Sequence, residues 1–218
     1  VLSSDDKFRP ADIEVAPDGS IYFTDWHNPI IGHMQHNLRD PNRDREHGRV
    51  YRITYEGRPL VTPPKIAGEP IAKLLDALKE PENRTRHRAR IELSGRPTAD
   101  VIDAANDWIG RLDQKDPNYE HHMLEALWVF QQHNVINEAL LRRELASKEP
   151  KARAAATRVL CYWRDRVSDS LELVKKLAAD PYPRVRLEAV RAASFFTEPE
   201  AVEVVLVAAE HPSDQYID

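Results

Sequence analysis

The sequence predicts a mainly α-helical fold, in which a solenoid of stacked helix pairs follows a small antiparallel β-sheet. The solenoid is predicted by a recurring dipeptide in which an acidic residue, or once a histidine, precedes proline: Glu80-Pro81, Asp116-Pro117, Glu149-Pro150, Asp180-Pro181 and His211-Pro212. These prolines are 36, 33, 31 and 31 residues apart. A repeat of that length is typical of solenoids, because each unit completes its core by packing on its neighbours.

The chain changes character at Pro63-Pro64, where we place a domain boundary. Residues 1–62 are predicted to form part of a β-propeller blade with a His-rich loop, and residues 63–218 to form the helical repeats. The chain begins at Val1 without an initiator methionine and stops six residues after Pro212. We therefore expect it to be a piece of a longer protein.

Three segments of the first part are predicted strands. Ala11–Val15 alternates apolar and polar residues, as in a half-buried strand. A turn at Pro17–Ser20, with Gly19 free to adopt a positive φ, leads into Ile21–Trp26. Arg49–Tyr55 is the third strand. A sheet this small needs a second layer on one face to be stable.

The loop at residues 27–48 holds several ligand-type side chains, and loops of this length are often functional. Asp25, at the end of a strand, could join His33 and His36 as a set of two histidines and one carboxylate, which would bind a metal ion or act in catalysis. The alternative is a polar loop whose histidines bond to the backbone and whose Asp and Arg residues form ion pairs. No spacing here matches a zinc motif.

In the second part each acid–proline pair is predicted to begin a helix, with proline in the first turn and the acidic side chain as a cap. Partner helices are expected at 70–79, 98–112, 136–147, 168–179 and 199–209. The last is apolar on nearly all sides and is expected to be deeply buried. About five such helix pairs make a HEAT-like α-solenoid.

Arginines recur in the proline-led helices, and Arg84, Arg86 and Arg88 form the densest cluster. One hypothesis makes them an interaction site for phosphate or an acidic partner. The other is a ladder in which each arginine pairs with an acidic residue of the adjacent repeat. The excess of 36 acidic over 31 basic residues favours the ladder.

Composition excludes several classes of function. The net charge of −5 argues against nucleic acid as the main partner. No segment is long and apolar enough for a membrane span. The single cysteine, Cys161, rules out an internal disulfide and any cysteine-based metal cluster, and we expect it to be a buried, inert thiol.

The first part resembles the end of a particular propeller, and the resemblance extends over nearly the whole chain. The segments that carry it are Phe8–Asp12, Asp18–Trp26, Asn28–His36 and His47–Ile53. They are similar to large secreted proteins of planctomycetes labelled "membrane-bound dehydrogenase", in which a sugar-dehydrogenase-like propeller is followed by HEAT repeats and a c-type cytochrome domain. The resemblance implies an extracytoplasmic (periplasmic or secreted) bacterial protein that passes electrons to haem. This chain has no Cys-x-x-Cys-His, so it cannot attach haem covalently itself.

Three functions therefore compete. The first is a segment of an extracytoplasmic redox protein, in which the repeats connect the propeller to the cytochrome domain and the loop holds a possible metal ion; the chain alone would not be a complete enzyme. The second is a non-catalytic module that binds other proteins through the solenoid. Nucleic-acid recognition ranks last. The sequence identifies neither a cofactor nor a substrate.

Overall fold

The computed structural model describes residues 2–30 and 40–212. The chain divides into two compact units. The first unit comprises Val1–Lys65 with Glu82–Thr85, and the second unit comprises Ile66–Pro81 with Arg86–Asp218.

The first unit contains a three-stranded antiparallel sheet in the order β1 (Pro10–Val15), β2 (Ile21–Asp25) and β3 (Arg49–Ile53). The predicted strands are confirmed, and the second and third end one and two residues earlier than expected. Gly19 has a φ of +83° in the turn between β1 and β2, as predicted. A left-handed conformation of this kind strains residues that carry a Cβ.

An aromatic cluster covers part of one face of the sheet. The rings of Phe23 and Tyr51, which are paired across β2 and β3, stack with centroids 4.9 Å apart. Phe8 meets both rings edge-on, with centroids 6.0 Å away. The prediction that β1 is half-buried is wrong, because all six residues of the strand are exposed. Ile13, which lies on the same face as the aromatic rings, is 65% exposed. Among the described residues, the aromatic cluster does not extend over β1.

The second unit is a succession of helices joined by short turns. Their bounds are α1 (Ile71–Asp76), α2 (Asn83–Ser94), α3 (Thr98–Gly110), α4 (Tyr119–Gln132), α5 (Glu138–Leu145), α6 (Pro150–Trp163), α7 (Ser170–Leu177), α8 (Pro183–Ala193) and α9 (Val202–Ala209). Short 3-10 segments flank α1, α6 and α9. The predicted HEAT-like α-solenoid is confirmed, since proline-led helices alternate with their partners as expected. No helix within the described residues is long and apolar enough to cross a membrane.

One continuous apolar core runs through the second unit from Leu74 in α1 to Ala208 in α9. The buried side of α6 carries small residues such as Ala156, and α6 packs on α8. Trp108 and Trp163 are fully buried core residues, whereas Trp128 is half-buried. Cys161 is also buried, and burial raises the pKa of its thiol.

The prolines of the acid–proline pairs are expected in the first turn of each helix. Pro150 is there, as the first residue of α6. The helices α2, α4 and α8 begin two residues after Pro81, Pro117 and Pro181. In the turns at Pro117 and Pro181 the acidic side chain before the proline accepts a hydrogen bond from the N–H of the residue after it. Asp116 accepts a hydrogen bond from the N–H of Asn118 at 2.7 Å, and Asp180 from that of Tyr182 at 2.8 Å. The acidic residue therefore holds a turn before the helix begins.

The expected deep burial of α9 is wrong. Val204 and Ala208 are buried, but Val202, Val205 and Leu206 are exposed. Within the described residues, α9 packs on α7 and α8 from one side only. The further helix expected after Pro212 lies outside the described residues.

Candidate functional site

Asp25 is the buried centre of a hydrogen-bond cluster in the first unit. Its Oδ1 accepts hydrogen bonds from the backbone N–H groups of Arg9, at 2.7 Å, and His27, at 2.9 Å. Its Oδ2 accepts one from Nε of Arg49 at 2.7 Å. Burial raises the pKa of Asp25, but these hydrogen bonds and the Arg49 charge outweigh burial and lower it below its usual value.

This arrangement ties the ends of the strands together. Asp25 ends β2, Arg49 begins β3, and Arg49 also pairs with Asp5 through Nη1 at 2.5 Å. Both oxygens of Asp25 are thus engaged by protein donors. The contacts of Asp25 are those of a structural carboxylate that closes one end of the sheet.

The other members of the predicted metal set, His33 and His36, lie outside the described residues. The set of Asp25, His33 and His36 therefore stays a prediction, both as a metal site and as a catalytic group. Among the described residues, no three His, Cys, Asp or Glu side chains are grouped so that they could hold a metal ion.

Asp44 organises the described end of the same loop. It accepts hydrogen bonds from the N–H groups of Glu46 and His47, and its Oδ2 lies 3.0 Å from Nδ1 of His47 and 3.7 Å from Nε2 of His27. The hydrogen bond from Glu46 is the main reason that the pKa of Asp44 falls to about 2. The contacts of His27 and His47 agree with the interpretation of a polar loop held by local bonds.

Arg84, Arg86 and Arg88 all lie on α2, and their contacts differ. Arg84 belongs to the first unit, where it forms an ion pair with Glu14. Arg86 donates through Nη1 to the carbonyl oxygens of Glu80 and Pro81 at 2.7 and 2.8 Å. Arg88 is half-buried, and no described residue hydrogen-bonds to its Nε or Nη2. An interaction role for these three residues stays a prediction.

The predicted arginine ladder exists at two of the expected positions, which lie three or five residues after the proline. Nε of Arg86 lies 3.3 Å from Oε1 of Glu125 in the next repeat. Arg153 forms a two-pronged ion pair with Asp180 of the next repeat, with Nε–Oδ2 and Nη2–Oδ1 distances of 2.7 and 2.8 Å. At the position equivalent to Arg86, Arg186 instead donates to the carbonyl oxygens of Asp180 and Pro181. Arg184 pairs within its own helix, with Glu188.

Two buried glutamates join neighbouring proline-led helices through their ion pairs. Glu125 of α4 receives Nη1 of Arg90 from α2 at 2.5 Å. Glu188 of α8 forms a bidentate ion pair with Arg158 of α6, in which Nη2 and Nε donate at 2.7 and 3.1 Å. Sequence reasoning missed Arg90 and Arg158 in this role because it compared arginines only near the start of each helix. Their signal is a second arginine position, eight or nine residues after the proline.

A groove of about 410 Å³ lies on the exposed side of α4, α6 and α8. Small residues of α6, Ala154 and Ala155, line it, as do the rings of Trp128 and Tyr182. Its charged lining consists of Lys151, Arg158, Arg184 and Glu188. With three basic groups and one acidic group the groove is cationic, in a chain whose net charge is −5.

A second groove, of about 490 Å³, lies at the beginning of α4 and α6. It shares Lys151 with the first groove, and its other charged lining residues are Lys148, Glu120 and Glu149. Glu120 is held by Nη2 of Arg143 at 2.7 Å and by the Ser147 hydroxyl. The charges that line the second groove are balanced, and the first groove is the cationic one of the two.

The family comparisons match the two parts of the chain separately. A domain of unknown function, DUF7133, matches residues 1–57. HEAT repeats match residues 137–218, which include α5 to α9. No curated protein and no solved structure matches the chain. The HEAT repeats indicate a protein-interaction scaffold.

Proposed function

We propose that the second unit is a scaffold that binds other proteins through the exposed sides of its proline-led helices. The observation that carries this proposal is the set of ion pairs between repeats, in each of which the carboxylate is buried or nearly so. Arg90 with Glu125, Arg153 with Asp180, and Arg158 with Glu188 fix the spacing of successive helices. A surface whose helices are held in register is preorganised, which reduces the entropy lost on binding.

The finer proposal is that this scaffold belongs to an extracytoplasmic redox protein, in which it connects a propeller to a c-type cytochrome domain. Its support is the resemblance of residues 8–53 to propellers of that kind, together with the small antiparallel sheet and the HEAT repeats that follow. In this proposal the first unit is the part that contacts the rest of the propeller. The chain holds the propeller and the cytochrome domain in a fixed arrangement and does not itself carry out the reaction.

Site-specific photo-cross-linking tests the scaffold. A photoreactive amino acid in place of Tyr162, which is exposed on α6, should form an adduct with a specific partner protein in the source cells. The same group in place of Glu172, exposed on the partner helix α7, is the control. If adducts at Tyr162 are no more specific than those at Glu172, the proposal that the proline-led helices form the binding surface is wrong.

Metal analysis of the purified chain tests the loop separately. If Asp25, His33 and His36 bind a metal ion, the intact chain should contain bound metal, and His33→Ala and His36→Ala should each lose it. A metal-free intact chain would contradict the metal site and leave the scaffold unaffected, because the two proposals concern different units.

A further inference from the structure

The groove between α4, α6 and α8 has more positive charge than its own acidic residue can neutralise. Glu188 is buried and is approached by Arg158, Arg184 and Arg191, at 2.7, 3.0 and 3.5 Å. All three arginine side chains are close to half exposed, whereas the Glu188 side chain is 5% exposed. One carboxylate has far fewer acceptor sites than three guanidinium groups have donors, so much of their hydrogen-bonding capacity faces solvent.

The rest of the groove has the form of a peptide site. Lys151 is the third cation of the lining, after Arg158 and Arg184, and Arg191 lies beside the groove through its contact with Glu188. Ala154 and Ala155 leave room for a chain to approach α6. Trp128 and Tyr182 provide apolar walls. Aromatic rings beside cationic groups combine contact area with charge, as in protein–protein interfaces, where aromatic residues and arginine are enriched.

We propose that this groove binds an acidic segment of a partner protein, in which carboxylates alternate with apolar side chains. The carboxylates pair with the exposed nitrogens of Arg184 and Arg191 and with Lys151, and the apolar side chains occupy the space between Trp128 and Tyr182. The inference rests on the scaffold function proposed above and names the chemistry of its partner.

A peptide is favoured over a nucleic acid because of the groove's composition and the chain's charge. The overall charge of −5 opposes a polyanion with one charge for every backbone unit. The groove is lined by alanines and two aromatic rings and suits apolar side chains, whereas single-stranded nucleic acids require successive aromatic surfaces for their bases. A short acidic peptide concentrates its charge where the arginines lie.

The test uses a fluorescein-labelled peptide that alternates glutamate with leucine, and a second peptide with glutamine in place of every glutamate. Fluorescence anisotropy at low salt should show saturable binding of the acidic peptide to the full chain, and much weaker binding of the glutamine peptide. Arg184→Glu and Arg191→Glu should each weaken binding about tenfold, since loss and reversal of a charge at an interface affect affinity on this scale. Added salt should also weaken it.

The matched control is Arg111→Glu, an exposed arginine on the end of α3 outside the groove, which should leave affinity unchanged. Arg158 remains paired with Glu188 in both the Arg184 and the Arg191 variant, and circular dichroism checks that each variant is folded. The inference is overturned if the chain does not bind the acidic peptide or binds the glutamine peptide equally well. It is also overturned if Arg111→Glu weakens binding as much as Arg184→Glu and Arg191→Glu do. Displacement of the labelled peptide by a single-stranded oligonucleotide at a lower concentration than unlabelled peptide requires would overturn it too. A specific cross-link at Tyr162 without peptide binding would retain the scaffold and reject the acidic ligand.

Discussion

Glu144 on α5 is a fully buried carboxyl group, and only one of its two oxygens has a partner among the described residues. Its Oε1 is paired with Arg143, but no described residue hydrogen-bonds to its Oε2. The neighbouring carboxylate of Glu120, held by the same Arg143, adds repulsion. Burial is the main cause that raises the pKa of Glu144 to about 7, and the attraction of Arg143 only partly offsets it.

This pKa predicts that Glu144 makes the solenoid less stable as the pH rises. Below about pH 4.5 the group is protonated in both the folded and the unfolded chain. Between about pH 4.5 and 7 the unfolded chain loses this proton and the folded chain keeps it, so the contribution of Glu144 to the free energy of unfolding falls with pH. Glu144→Gln should remove this fall, and the difference in stability between the variant and the parent should grow by roughly 3 kcal/mol from pH 4.5 to above pH 7.

Urea unfolding of the parent and the variant across this pH range measures the difference. Glu138→Gln, on the same helix but with a side chain 44% exposed, is the control and should run nearly parallel to the parent. Parallel curves for Glu144→Gln and the parent would contradict the raised pKa.

At the scale of single elements, α9 shows how far burial differs between adjacent residues of one apolar helix. Val204 is fully buried and Val205 is 47% exposed. We predict that Val204→Ala lowers the free energy of unfolding by about 1–3 kcal/mol, through lost burial and a cavity. Val205→Ala should change it by less than about 0.5 kcal/mol, since exposed sites contribute little.

Thermal unfolding of the two valine variants checks this prediction, with far-ultraviolet circular dichroism as the signal. Both variants carry the same substitution in the same helix, so helix propensity cancels. Equal destabilisation by the two variants would show that α9 is covered on both sides, as its composition alone suggests.

The helices could be predicted from the sequence because proline and hydrophobic spacing are local signals. The partner helices lie close to their expected bounds, as at Thr98–Gly110, and the strands begin within one residue of theirs. Burial of α9 was not predictable in this way, because an apolar composition does not say how many neighbours a helix has. The groove was missed for a related reason: it combines Trp128, Arg158 and Arg184, which are about 30 residues apart and meet only when the repeats stack.

The loop site depends on contacts that the sequence did not reveal. The ligand-like residues near Asp25 were recognised from their density, but the actual partners of Asp25 are the backbone of Arg9 and the guanidinium of Arg49. Arg9 directly precedes β1 and Arg49 begins β3, and pairing of β2 with β3 brings Arg49 opposite Asp25. The register of a sheet, rather than local composition, decides what surrounds the carboxylate.

At the scale of the whole solenoid, stability should depend on contacts between neighbouring repeats. The helix α6 packs on α4, α5, α7 and α8, which are its own partner and its two adjacent repeats. Trp163 at its end is 1% exposed and belongs to the common core, whereas the next residue back, Tyr162, is 58% exposed. The two positions therefore separate a core contact from a surface contact within one turn of helix.

We predict that Trp163→Ala lowers the free energy of unfolding by about 3–5 kcal/mol, as removal of large buried aromatic side chains does. Because each repeat contacts only its neighbours, the loss should be local: amide hydrogen exchange measured by mass spectrometry should accelerate most in α5 to α8 and least in α1. Tyr162→Ala, the matched control, should leave exchange in these helices nearly unchanged. A uniform acceleration from α1 to α9 would instead mean that the helices unfold as one globular bundle, and that the repeats are not independent units of the scaffold.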